Sequence, residues 1–271
     1  MPTINTNVAA IKARSNLDKV QRDMDQSIAR LSSGKRITRA ADDAAGLAIS
    51  GRMESQIRGL SMSIRNTKDG QSLVDTQEGA LQEVSGILQR MRELAVQASS
   101  GIAASADKNF LNTEMAQLYQ EIDAIGANTK FNDKNILTGA IFTFYTDIDV
   151  KGVAVTATAL SISGAALGVG LSSTLVSIGS ASNNAAIKIT ISLVDGAIAS
   201  VAGMRSNLGA ISNRFDHIVD NLTNVVANTE SAKSRILDAD FAVETTQLTR
   251  NTILQQAATS MVAQANAQKN S

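Results

Sequence analysis

Two long runs of heptad-spaced apolar residues dominate this sequence, and no proline interrupts either. In the first half Leu81, Val84, Leu88, Met91, Ala95 and Ala98 recur at alternating spacings of three and four; in the second Val201, Met204, Leu208, Ile211, Phe215, Ile218, Leu222 and Val225 do the same. That spacing draws a narrow apolar stripe along one side of a helix, a seam to be buried against a partner helix. Leu60, Ile64 and Val74 extend the first seam upstream less strictly. The only Pro among 271 residues is Pro2, where ordinary usage of about 5% would place roughly a dozen. An internal Pro breaks a helix, so its avoidance keeps long helices whole. A helix from Ala44 to Ser99 would run about 80 Å at 1.5 Å per residue. A compact globule of this size has a radius of gyration near only ~18 Å. The expected fold is therefore mainly α, an elongated rod of long antiparallel coiled-coil helices. Gly46, Gly51, Gly59, Gly70, Gly79 and Gly86 each cost such a helix about 1 kcal/mol against Ala, which suggests close approach of neighbours.

A second helix is predicted after the Ser99-Ser100-Gly101 break, with Leu111, Met115, Leu118, Ile122 and Ile125 on one face. The extremities carry thinner apolar faces: Ile4, Val8, Ile11, Leu17, Val20, Met24, Ile28 and Leu31 at one end, Leu254, Ala258, Met261 and Ala265 at the other. Short isolated helices are marginal in water, so these ends either pair with each other or wait for partners in an assembly. The turn at Ser33-Gly34 and the basic run Lys35, Arg36 and Arg39 separate the first of them from the long helix. Between the halves the period changes. Phe142, Phe144, Ile148 and Val150 alternate with Thr143, Tyr145, Asp147 and Asp149, and a second alternating run spans 153–163 after Lys151-Gly152. That is a half-buried strand followed by a hairpin turn, a small β element in the middle of the chain at about 140–180.

Chemistry is excluded more readily than it is found. With no Cys and one His, thiolate nucleophiles, disulfides and Cys- or multi-His metal sites have no ligands. Aromatic residues are 3% with no Trp, too few for a base-stacking platform. Twenty-five basic and 25 acidic residues cancel, which argues against nucleic-acid binding. The N-terminus has no apolar signal segment. Gly152–Ile187 carries no charge and is long enough for a membrane span, but its Ser, Thr and Val alternation suits strands, so no membrane insertion is expected. His217 lies between Phe215 and Ile218 of the seam, hence on the outward side. Asp216 and Asp220 flank it, yet a triad needs a shaped pocket that a coiled coil lacks. The pairs Asp42-Asp43 and Asp238/Asp240 stand at helix boundaries, where capping explains them better than metal binding. Gly164 to Gly170 is glycine-rich without a phosphate-binding lysine after it. No catalytic residue, cofactor site or metal site is expected.

Several runs together resemble one family. Leu31-Ser-Ser-Gly-Lys-Arg-Ile, Ala41-Asp-Asp-Ala-Ala-Gly-Leu-Ala-Ile, Leu88-Gln-Arg-Met-Arg-Glu-Leu-Ala-Val-Gln and Phe131-Asn-Asp-Lys-Asn-Ile-Leu-Thr-Gly resemble the N-terminal half of bacterial flagellin. Leu208-Gly-Ala-Ile-Ser-Asn-Arg-Phe, Ser234-Arg-Ile-Leu-Asp-Ala-Asp and Met261-Val-Ala-Gln-Ala-Asn resemble its C-terminal half. The resemblance covers roughly 1–140 and 190–268, leaving only about fifty residues between, so it implies a short, two-domain form without the outer variable domains.

The resemblance implies a structural subunit that self-polymerises into the flagellar filament used for motility, with a hook–filament junction protein of the same kind as the alternative. It implies paired N- and C-terminal helices forming an inner-tube domain from 1–43 and 232–271, and a helical-rod domain over 44–231. It implies export through the organelle's own apparatus to an extracellular filament, with an export chaperone, junction and cap proteins as partners. Family members usually continue past Gln264-Ala265-Asn266 into a further apolar tail, whereas this sequence stops at Ser271, which implies a truncated chain or a short innermost helix. The resemblance also implies a patch read by Toll-like receptor 5: Gln89, Arg90, Leu94 and Gln97 with Leu111 and Glu114. With Leu88 and Met91 on the seam, Gln89, Arg90 and Glu93 point off it. Arg90 would present a planar fork of donors and Leu94 an exposed apolar spot.

Overall fold

The computed structural model describes residues 7–137, 142–144, 155–157, 178–179 and 184–267. Five helices carry most of them: α1 Val8–Ser33, α2 Ala44–Ala98, α3 Ser105–Asn128, α4 Asn184–Leu237 and α5 Phe241–Ala267. The fold is mainly α, as the periodicity predicts, and α2 runs unbroken for 55 residues. Four short strands make two antiparallel pairs: β1 Lys130–Phe131 with β2 Lys134–Asn135, and β3 Phe142–Phe144 with β4 Val155–Ala157.

The chain separates into two compact units, one drawn from Met1–Arg58 with Val225–Ser271, the other from Gly59–Asn224. In the second unit the core is a single cluster shared by α2, α3 and α4. Leu81, Val84, Leu88, Met91, Met115, Ile122, Val194, Leu208 and Phe215 are buried in it. Ile211 and Ile218 are half-buried and Leu222 is buried. Burying one such side chain stabilises by about 1.5–3 kcal/mol.

The seam of α2 is longer than its apolar residues reveal. Buried positions continue upstream at the same three-and-four spacing through Gln77, Val74, Gly70, Thr67, Ser63 and Leu60. Polar and small occupants hide this stretch from a reading of apolar periodicity. Thr67 satisfies its hydroxyl inside the helix by donating to the Ser63 carbonyl at 2.8 Å. Gly70 leaves room for aromatic rings: a Cβ there would lie 2.9 Å from Phe215 Cζ and 3.1 Å from Phe144 Cγ. In α4 the seam likewise begins earlier than expected, at Ile187, Thr190, Val194 and Ala197. At its other end Val225 is exposed, so the seam closes at Leu222. By length and composition α4 could cross a membrane; Ile187, Val194, Val201, Leu208 and Phe215 go into the seam, whereas Ile189 is exposed. Within this unit, polar contacts among the described residues accompany the packing of α2 on α4: Gln71 with Asp216 at 2.9 Å, Glu78 with Arg205 at 2.7 Å and Arg92 with Asp195 at 2.6 Å.

The two-residue turn Asn132-Asp133, with φ of 50° and 62°, closes β1 on β2. Asn and Asp tolerate the left-handed conformation that such tight hairpins require. Apolar periodicity gives no sign of this hairpin. Phe142 and Phe144 are half-buried and Thr143 exposed, as the alternation predicts, and β3 pairs with β4 in the register Phe142↔Ala157 and Phe144↔Val155. The expected turn at Lys151-Gly152 and the strand residues Ile148 and Val150 lie outside the described residues.

In the first unit α1 and α5 pack antiparallel. Asn7 Nδ2 donates to the Ala265 carbonyl at 2.9 Å, Gln255 Nε2 to Gln21 Oε1 at 2.6 Å, and Arg30 Nη1 to Glu244 Oε1 at 2.9 Å. Asn7 also caps α1 by accepting from the Ala10 amide, and Gly34 ends the helix at φ 67°, a conformation that favours glycine. Asp43 accepts from the Gly46 amide at 2.8 Å, and Asp240 from the Ala242 amide at 2.9 Å. Each satisfies an otherwise orphaned N–H at a helix start, which is the capping role that sequence reading gives these acids. Asp238 instead accepts from the Ser234 hydroxyl.

Candidate functional site

Two surfaces are candidates, one in each unit. The first is the outer side of the α1–α5 pair. The side facing α5 carries Ala10, Ala13, Leu17, Val20, Met24, Ser27 and Leu31; the side facing α1 carries Glu244, Leu248, Asn251, Gln255, Ala258, Val262 and Ala265. Both follow the three-and-four spacing, but small and polar residues hold many positions. The expected apolar faces are therefore only partly used: Leu17, Val20, Met24, Leu31, Ala258 and Ala265 pack, whereas Val8, Ile11, Ile28, Leu254 and Met261 are exposed. Phe241 and Ile253 join them outside. Exposure reaches 69% at Phe241, 63% at Met261, 61% at Ile253 and 59% at Ile11. Large side chains left in water at this density mark an interaction surface.

The second surface lies on α2 and α3. Gln89, Arg90, Gln97 and Glu114 are exposed and Leu111 is half-buried. Arg90 is already engaged within the chain. Its guanidinium meets Glu114 Oε1 at 2.9 Å and Glu93 Oε2 at 3.1 Å, and these two carboxylates, Glu114 first, raise its pKa further. Arg90 thus ties α2 to α3. Leu94 corrects the expectation: it is not an exposed anchor but 0% exposed, inside the core cluster. The reason is geometric. Near its C-terminal end α2 buries Leu94 and Ala95 side by side, so its apolar face there is wider than one heptad stripe. His217 is exposed, as its position off the seam predicts. Among the described residues, no cluster of His, Asp and Glu could hold a metal.

Both halves of the chain match family models. The model for the bacterial flagellin N-terminal helical region matches residues 4–141, and that for the C-terminal helical region matches residues 191–271. The chain belongs to the bacterial flagellins. It is similar to a flagellin of Halalkalibacterium halodurans, 40% identical over 98% of this chain and 96% of that protein. It is also similar to the flagellar filament core protein flaB2 of Brachyspira hyodysenteriae, 39% identical over 97% of this chain and 95% of that protein. A flagellin of Bacillus subtilis is 37% identical over 98% and 96% of the respective chains. Among solved structures, the crystal structure of Bacillus cereus flagellin matches this flagellin with a TM-score of 0.51 at 33% identity, covering 61% of this chain and 94% of that one.

Proposed function

We propose that this flagellin is the structural subunit of a bacterial flagellar filament, assembled through its paired terminal helices, and that it is not an enzyme. One observation carries the reading: α1 and α5 turn only part of their apolar residues toward each other, while Ile11, Phe241, Ile253 and Met261 stand exposed. A monomer gains nothing from that arrangement, whereas a polymer of copies can bury it. Segments 1–43 and 232–271 supply the inner tube and 44–231 the layer outside it, with the β element at about 140–180. The chain is secreted and works outside the cell, with export chaperone, junction and cap proteins as its other partners. It neither binds nucleic acid, in keeping with a net charge of zero, nor inserts into a membrane. The similar proteins are flagellins and filament core proteins, and no observation favours the junction-protein alternative. Gln89, Arg90, Gln97, Leu111 and Glu114 form the patch offered to Toll-like receptor 5, supported by the exposure of all but Leu111.

The test is elongation. Purified monomer added to sheared filament fragments grows micrometre filaments under the electron microscope. A Phe241→Ser, Ile253→Ser double substitution leaves monomer helicity intact by circular dichroism and abolishes growth. Wild-type monomer that ignores the fragments, or a double variant that elongates normally, sinks the reading.

A further inference from the structure

The core of the second unit contains one polar side chain whose chemistry the packing does not require. Gln77 occupies a seam position of α2 and is 0% exposed. Its Nε2 donates to the carbonyl of Ile136 at 2.9 Å, which fixes the amide orientation, and its Oε1 is buried without a hydrogen-bond partner among the described residues. An unpaired buried amide oxygen destabilises the fold, and an apolar residue of the same length would remove that cost. The threonines of the seams behave differently: Thr67 and Thr190 donate to carbonyls four residues earlier in their own helices. Gln77 reaches out of its helix to the backbone of another segment.

That segment is the exit of the β1–β2 hairpin. Ile136 and Leu137 are fully buried in the cluster, yet little local structure holds them. The Ile136 amide donates to the Thr129 carbonyl at 3.3 Å, and the Leu137 amide to Asn135 Oδ1 at 3.0 Å. Apolar side chains alone specify burial but not which of several similar seatings is taken, and a single buried polar group at a seam position is a well-attested way to fix register. We propose that Gln77 is a positioning residue that registers the Ile136–Leu137 segment on α2 at the expense of stability. It thereby sets where the chain leaves the hairpin and heads for β3. The residue acts through the segment it holds, and the filament reading is needed only for the last part of the test.

The experiment compares wild type with Gln77→Met, which keeps length and flexibility while removing both polar atoms, and with Gln77→Leu as a second variant. Three quantities are measured: monomer melting temperature, amide hydrogen exchange at Ile136 and Leu137, and elongation from wild-type filament fragments. The expected result is a melting temperature at or above wild type, with exchange at both amides about tenfold faster than global unfolding accounts for, and slower elongation. A merely structural glutamine would instead lower the melting temperature and leave local exchange tied to global unfolding; that outcome, or unchanged protection at both amides in both variants, overturns the proposal. If the variants elongate like wild type while exchange rises, registration is local and its link to assembly is wrong. If wild type itself fails to elongate, the filament reading fails and the exchange data still decide the role of Gln77.

Discussion

The rings of Phe144 and Phe215 meet nearly at right angles, with centroids 6.0 Å apart and an interplanar angle of 87°, against the bare backbone of Gly70. A strand from the middle of the chain is thereby joined to both seam helices. Edge-to-face pairs of this kind contribute about 0.5–1.5 kcal/mol beyond the area they bury.

Gly70→Ala is expected to destabilise the monomer even though Ala is the better helix former. The propensity gain of about 1 kcal/mol is outweighed because the new Cβ would stand 2.9 Å from Phe215 Cζ and 3.2 Å from Phe144 Cδ2, and overpacking of this kind costs roughly 1–3 kcal/mol. Gly79→Ala and Gly86→Ala meet nothing within 4 Å and are expected to stabilise by about 0.5–1 kcal/mol. Chemical denaturation of the three monomers checks the opposite signs; stabilisation by Gly70→Ala would show the aromatic contact to be loose.

Substitution in the seam separates core from surface. Phe215→Ala is expected to cost about 3–5 kcal/mol and Leu208→Ala about 2–5, since both are buried. His217→Ala, two residues away and exposed, is expected to stay within about 0.5 kcal/mol of wild type. A thermal melt in which the His217 variant is the less stable of the pair would refute the seam assignment.

Leu94 and Arg90 should respond differently in a receptor assay. Leu94→Ala is expected to lower monomer stability by about 2–5 kcal/mol, so any loss of Toll-like receptor 5 activation comes with a lower melting temperature. Arg90→Ala removes exposed ion pairs to Glu114 and Glu93, which contribute only about 0–1 kcal/mol. A loss of activation by about tenfold or more at unchanged melting temperature is therefore expected for Arg90→Ala alone. Equal activation by wild type and Arg90→Ala counts against the patch.

Asp42 gives the loop between α1 and α2 a dependence on pH. Its carboxylate accepts from the Thr38 amide, the Thr38 hydroxyl and the Arg39 amide at 2.9–3.0 Å, and these bonds, the Thr38 amide first, hold its pKa below that of an ordinary aspartate. A depressed folded pKa contributes stability that is complete above the unfolded value and is lost as pH falls through the folded one. Protection of the Thr38 and Arg39 amides should therefore persist through the pH range in which an ordinary aspartate titrates and fade only below it, whereas Asp42→Asn should flatten the dependence. Amide exchange followed from pH 5 downward measures this, and loss of protection starting well above the ordinary Asp range contradicts the assignment.

The terminal helices are expected to be the weakest part of the monomer. Their contact mixes Leu17, Val20, Met24, Leu31, Leu248 and Val262 with small and polar side chains, and all six are only half-buried, so little apolar area holds the two helices together. Limited proteolysis should trim both ends of the monomer before 44–231 is cut, and filaments should resist under the same conditions. Equal resistance in both states argues that the α1–α5 contact is sufficient by itself.

Much of the architecture was legible because helical burial has a period and apolar residues report it. Leu81 through Ala98 and Val201 through Leu222 announce their seams, and the Phe142–Phe144 alternation announces a strand. Legibility ended where the occupant of a buried position was polar or small. Ser63, Thr67, Gly70 and Gln77 continue the α2 seam, but apart from Gly70, whose helical cost hints at a close neighbour, their residue types do not say so, since Ser, Thr and Gln are commoner on a surface. The β1–β2 hairpin carried a usable signal in Asn132-Asp133 that periodicity does not register.

The sequence by itself determined the helices, their caps at Asp43 and Asp240, and the side of each seam that turns inward, because these depend on neighbours a few residues away. Tertiary structure alone decided that Leu94 is core, that Val225 is not, and that Leu17 and Val262 pack between α1 and α5 while Phe241 and Ile253 stay outside. A heptad stripe fixes where one partner can lie; how many partners crowd a given turn of helix is a property of the packed chain.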